Sequence, residues 1–178
     1  MRKLKVTELK RIDVSQFKAS DKTPLTVVLD DVRSMYNVGS VFRTADSFRL
    51  EKIMLCGITA CPPHPEIHKT ALGAELSMEW KKCENTIEAV NKLHEEGYEV
   101  YALEQVEHSV PLQNFKVEHG KKYALILGNE VKGVSQEAVN ICDGAIEIPQ
   151  FGTKHSMNVS VSGGIAIWQI ASQLLKLQ

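Results

Sequence analysis

Leu25-Thr26-Val27-Val28-Leu29-Asp30, followed after a short gap by Asn37-Val38-Gly39-Ser40-Val41-Phe42-Arg43-Thr44-Ala45, is the passage that decides the fold class. The first run is short, apolar and rich in β-branched residues, the pattern of a buried strand. In the second, Val38, Val41, Phe42 and Ala45 recur at i, i+3, i+4 and i+7, which predicts a helix burying one stripe. Asn37 offers it a side-chain cap, and the helix should run to about Phe48. Gly39 and Arg43 lie four residues apart, off the apolar stripe, so a glycine beside an arginine would leave room for a bulky anion. An exposed surface arginine is the plain alternative.

The same strand–loop–helix grammar repeats outward from this passage. Strands are expected at Lys52 to Cys56, ended by Gly57, and at Tyr98 to Leu103, Tyr123 to Leu127 and Ala145 to Ile148. Helices are expected from Thr86 to Glu96, stopping at Gly97, from Ser135 to Ile141, and from Ser156 to Leu177. Cys61-Pro62-Pro63-His64-Pro65 reads as a rigid extended loop. Alternation of this kind predicts an α/β fold with a mostly parallel sheet and flanking helices. Residues 23 to 178 should form one domain, preceded by a basic arm over residues 1 to 22.

Bulk properties narrow the function. With 178 residues, 43% apolar and 24% charged, the chain suits one globular domain. No apolar run approaches the roughly 18 residues needed to span a bilayer, and no signal-peptide core follows Met1. Cys56, Cys61, Cys83 and Cys142 make no CxxC pair, so a reduced, cytoplasmic protein is expected. A net charge of −1 carries no global nucleic-acid signal. The arm is locally basic, with Arg2, Lys3, Lys5, Lys10, Arg11, Lys18 and Lys22. It could touch phosphates or be a solvated helix.

Three polar blocks follow strands, where ligands of α/β proteins bind, so one composite site is expected. Besides residues 37 to 45, these are Gly128-Asn129-Glu130-Val131-Lys132-Gly133 and Ile148-Pro149 continuing to Ser156-Met157-Asn158-Val159-Ser160. The glycine block is not a P-loop, because Val134 stands where the phosphate lysine must follow and Glu130 would repel a triphosphate. No Gly-x-Gly-x-x-Gly follows any strand, so a nicotinamide or flavin site is not expected. His64 and His68 near Cys61 lack a matching fourth ligand, and no metal is expected. Ser160, Ser162, Gly163 and Gly164 sit inside the terminal helix, where each glycine costs about 1 kcal/mol relative to Ala. A neighbouring segment, a second subunit or a ligand could require that close approach.

In this order the blocks resemble the SpoU (TrmH-like) family of RNA ribose 2′-O-methyltransferases, part of the SPOUT superfamily. The resembling residues are Asn37-x-Gly39-x-x-x-Arg43-Thr44-Ala45, Gly128-Asn129-Glu130-x-x-Gly133, and Ile148-Pro149 with Ser156-x-Asn158-Val159-Ser160, over roughly residues 25 to 175. Met157 stands where the family usually has Leu, a volume-conserving exchange. The resemblance implies a C-terminal deep trefoil knot, a homodimer packed partly through the terminal helix, and S-adenosylmethionine in the knot loops. It implies cofactor contacts at Leu103, Gly128, Ile148, Ser156, Met157 and Asn158. Catalytic roles fall to Arg43, Asn37, Glu130, Ser156 and Asn158, with Glu130 and Asn37 orienting Arg43 or the RNA. The substrate implied is RNA, tRNA (guanosine) before rRNA. Two other readings stand beside it: the same knotted dimer binding RNA without catalysis, and methyl transfer to a small molecule. The intact Asn37, Arg43, Glu130 and Asn158 argue against a degenerate, non-catalytic chain.

Overall fold

The computed structural model describes residues 1–177, apart from the side chain of residue 6. Seven parallel strands form one sheet in the order β3-β2-β1-β6-β4-β7-β5. They are β1 (Thr23–Asp30), β2 (Leu50–Cys56), β3 (Trp80–Cys83), β4 (Tyr98–Leu103), β5 (Val110–Pro111), β6 (Lys122–Leu127) and β7 (Gly144–Glu147). The helices are α1 (Val14–Ala19), α2 (Met35–Ser47), α3 (Pro65–Ala71), α4 (Ala74–Ser77), α5 (Thr86–Glu95), α6 (Gln136–Ile141) and α7 (Val159–Leu174).

The near-continuous apolar character of β1 has a simple cause. It sits between β2 and β6 and is covered on both faces, as central strands of parallel sheets are. Its alternate residues serve two cores. Leu25, Val27 and Leu29 pack with Phe42 of α2 and Ile167 of α7, while Val28 joins Val90 and Leu93 of α5 and Ala138 of α6. Helices therefore layer both faces. Truncating a fully buried leucine such as Leu125 to Ala would cost about 2–5 kcal/mol.

Most expected elements are found within a residue or two, and the departures have physical reasons. Ser34, not Asn37, caps α2, its side chain accepting from the Asn37 N–H. Asn37 is instead inside the first turn and 8% exposed. The terminal helix begins at Val159 because Asn158 takes its cap, which leaves Ser156 and Met157 in the preceding loop. The edge strands β3 and β5 escape the sequence pattern because they are short and pair on one side only. Residues 14 to 19 of the basic arm fold as α1 with Phe17 buried in the core. The segment before α1 folds locally, with a 3-10 turn at Val6–Glu8 and the Glu8 carboxylate accepting from Arg2 and from the Lys5 N–H. Gly97 stops α5 with φ +81°, as the sequence requires.

Candidate active site

The carboxyl ends of β4, β6 and β7 open onto one cavity of about 410 Å³. Leu103, Gly128, Ile148, Ser156 and Met157 all line it, five positions drawn from four separate segments. Glu104, Glu130 and Glu147 also face it, with Lys132 and His155.

The glycine block shapes its floor. Asn129 and Gly133 bond to each other through both backbone pairs, at 3.0 and 2.9 Å, so residues 129 to 133 close into a tight loop. The Asn129 side chain holds that loop from inside, accepting from the N–H of Val131 and Lys132 and donating to the Asp31 carbonyl. A β-carbon at Gly128 would lie 2.2 Å from Gly133 C and Val134 N. Only glycine lets the two arms of the loop meet there.

A chain of three side chains ties the blocks together. The Glu130 carboxylate accepts from the N–H of Arg33 and of Ser34 and from the Asn37 amide, each at 2.9 Å. Asn37 Oδ1 accepts from the Asn158 amide at 3.2 Å, and Asn158 Oδ1 caps α7 by accepting from Ser160 and Val161 N–H. These contacts join residues 93 and 121 positions apart. Burial pushes the Glu130 carboxyl up, but the N–H donors of Arg33, Ser34 and Asn37 outweigh it and hold the group below the usual carboxylate range. Glu130 is therefore an ionised anchor at neutral pH. It cannot donate a proton there.

A scan of family models matches residues 24–168 to the SpoU rRNA Methylase family. The chain belongs to that family. A tRNA (guanosine(18)-2′-O)-methyltransferase of Thermus thermophilus is 29% identical over 170 residues, covering 96% of this chain and 86% of the relative. The A. aeolicus TrmH/SpoU tRNA modifying enzyme superposes with a TM-score of 0.79 at 24% identity, covering 92% of this chain and 83% of that one. An AdoMet-bound rRNA methyltransferase from Sinorhizobium meliloti superposes with the same TM-score at 26% identity, covering 89% and 60%.

Within this SpoU domain the remaining motif residues divide. Asn158 stands outside the cavity lining, its side chain committed to Asn37 and to the α7 cap. Arg43 is also apart from the cavity and exposed on α2, and Glu130 and Asn37 spend their polar groups on one another and on residues 33, 34 and 158 rather than on Arg43. The expected space beside Gly39 is absent. A β-carbon there would lie 2.2 Å from Thr70 Oγ1 and 2.3 Å from the Ile67 carbonyl, so α3 fills it. Gly163 likewise admits Leu127 Cδ1 to 2.6 Å of its missing β-carbon, an internal contact, whereas Gly164 faces open space. His64 caps α3 and His68 pairs with Glu75.

Three carboxylates, Glu104, Asp30 and Glu147, were not among the expected site residues, and Glu147 lines the cavity at the end of β7. Glu104 accepts from Val134 N–H and Gln105 N–H, closing the cavity wall. Asp30, 4% exposed, accepts from Ser135 N–H at 2.8 Å and Thr86 Oγ1 at 2.5 Å. Each stands at or just past the end of a readable strand, and that position was the available signal.

Proposed function

We propose that this SpoU protein is an S-adenosylmethionine-dependent methyltransferase acting on a ribose 2′-hydroxyl of RNA, with tRNA favoured over rRNA and guanosine the favoured nucleoside. The observation that carries it is the single cavity gathering Leu103, Gly128, Ile148, Ser156 and Met157, with Glu130, Asn37 and Asn158 joined at its edge. The relatives' names support the chemistry and include both a tRNA- and an rRNA-methylating enzyme.

The residues fit the cofactor. Leu103, Ile148 and Met157 offer apolar walls and backbone groups for an adenosine, and the carboxylates of Glu104, Glu130 and Glu147 suit a cationic ligand without phosphates. Bound there, S-adenosylmethionine supplies a methyl group on a sulfonium, activated for displacement by an oxygen nucleophile. What the chain must add is orientation and charge. A guanidinium carries five N–H donors and no acceptor, so Arg43 serves as a clamp rather than a base. It would hold the neighbouring phosphate and stabilise negative charge developing on the 2′-oxygen. Asn37 and Glu130 are positioning residues that fix the start of α2, Asn158 fixes the start of α7, and Ser156 lines the cavity just before it.

The proposal includes the family's C-terminal knot and a homodimer. Val161, Ile165 and Trp168 are exposed by 51%, 41% and 50% along one face of α7, spaced i, i+4 and i+7, with Gly164 beside them. A second copy would cover that stripe. Sedimentation at micromolar concentration should give a dimer. No helix among the described residues is long and apolar enough to cross a membrane; the proposal includes a cytoplasmic location, which an RNA substrate supports.

The test is methyl transfer from labelled S-adenosylmethionine to purified tRNA and rRNA, followed by nucleoside mass spectrometry. A gain of 2′-O-methylguanosine in tRNA is expected. A gain confined to rRNA would move the substrate. Binding of RNA and cofactor without methylation would sink the enzymatic reading.

A further inference from the structure

A second hollow lies between α2 and α3. It is open, about 400 Å³, and lined by Ser40, Arg43, Thr44 and Ser47 of α2 with Lys69 and Thr70 of α3. Two cations and four hydroxyls line it, and no carboxylate does. Neither Arg43 nor Lys69 pairs with an acid among the described residues. The Lys69 ammonium rests 5.9 Å from the Tyr36 ring centroid, a weak hold at an exposed position.

The hydroxyls are already committed as donors. Ser40 Oγ and Thr70 Oγ1 donate to the Tyr36 carbonyl, Thr44 Oγ1 to the Ser40 carbonyl, and Ser47 Oγ to the Arg43 carbonyl. Arg43 and Lys69 are thus the uncommitted side-chain donors of the hollow. Two adjacent cations left unpaired repel each other, and a shared anion would relieve that. Gly39 is what brings them together. Without a β-carbon it lets the Ile67 carbonyl and Thr70 Oγ1 come against α2, which seats the turn carrying Lys69 opposite Arg43.

We propose that Lys69 and Arg43 form a phosphate-binding cup that holds the RNA backbone, with Lys69 a positioning residue for the substrate. This rests on the RNA-methyltransferase reading. The guanidinium fork matches a phosphate bidentately, while the ammonium adds a point charge that neutralises without imposing geometry. Lys69 therefore contributes mainly to RNA affinity, and its loss falls on the RNA KM rather than on kcat.

The experiment compares wild type with Lys69→Gln and Lys69→Arg, using bulk tRNA as the probe. One phosphate contact contributes about 0.9 to the slope of log affinity against log salt. Raising salt from 50 to 200 mM should therefore weaken wild type about 3.5-fold more than Lys69→Gln. Lys69→Arg should keep the wild-type slope, and S-adenosylmethionine affinity should be the same in all three. A Lys69→Gln protein with wild-type slope and wild-type RNA KM overturns the cup. So does a loss of cofactor affinity in step with RNA affinity, which would mark Lys69 as structural. Because the salt slope is read from binding alone, a wild type that binds tRNA but methylates nothing would refute the activity and still leave the cup testable.

Discussion

Replacing Asn37 by Asp changes one atom at the centre of the Glu130–Asn37–Asn158 chain. The Asn37 amide nitrogen lies 2.9 Å from Glu130 Oε1, and Asn37 is 8% exposed. A carboxylate oxygen in its place would put two like charges at that distance, worth about 6 kcal/mol of repulsion at an effective dielectric of about 20. Taking up one proton is cheaper, because a protonated carboxyl restores the donor that Glu130 needs. From an unfolded pKa of about 3.9 that uptake costs about 4 kcal/mol at pH 7 and about 1.5 kcal/mol at pH 5. The sign follows from the protons held: the folded variant retains a proton that its unfolded chain has released, so its stability falls as pH rises. Urea unfolding of wild type and Asn37→Asp between pH 5 and 7 should show a gap widening by about 1.4 kcal/mol per pH unit. A gap that is constant or narrows with rising pH would mean that the two side chains are not coupled, and the chain of contacts would lose its role in holding the motifs.

Gly128→Val should abolish saturable S-adenosylmethionine binding in calorimetry, since its β-carbon would strike backbone at 2.2 Å on the far arm of the loop. Retained affinity would remove the loop from the cofactor site. Arg43→Ala should stop methyl transfer while leaving cofactor affinity unchanged, because Arg43 stands outside the cavity. Arg43→Lys should rescue poorly, for lack of the bidentate fork; activity that instead follows the titration of the new amine would revive a base at this position. Gly39→Ala should lower stability by roughly 1–3 kcal/mol in urea unfolding, through overpacking of α2 against the Ile67 carbonyl. A neutral result there would show that α3 can move away freely.

Much of the architecture was legible before any coordinates, because it depends on neighbours in sequence. β1 declares itself through its β-branched apolar run, α2 through the Val38, Val41, Phe42 and Ala45 stripe, and α5 through its stop at Gly97. The three polar blocks could be placed at strand ends, and Leu103, Gly128, Ile148, Ser156 and Met157 do meet around one cavity. Tertiary structure alone decided the rest. Strand order depends on which faces pack, so β6 entering between β1 and β4 leaves no trace in any local period. The glycine at position 39 reads as open space for a ligand until α3 is seen to fill it, because a missing β-carbon looks the same in sequence whatever approaches it. Asn37 reads as a helix cap by residue type, yet its amide is taken by Glu130, 93 positions away. Side-chain partners at such separations are chosen by the folded sheet, which alone brings the ends of β1, β6, β4 and β7 onto one edge.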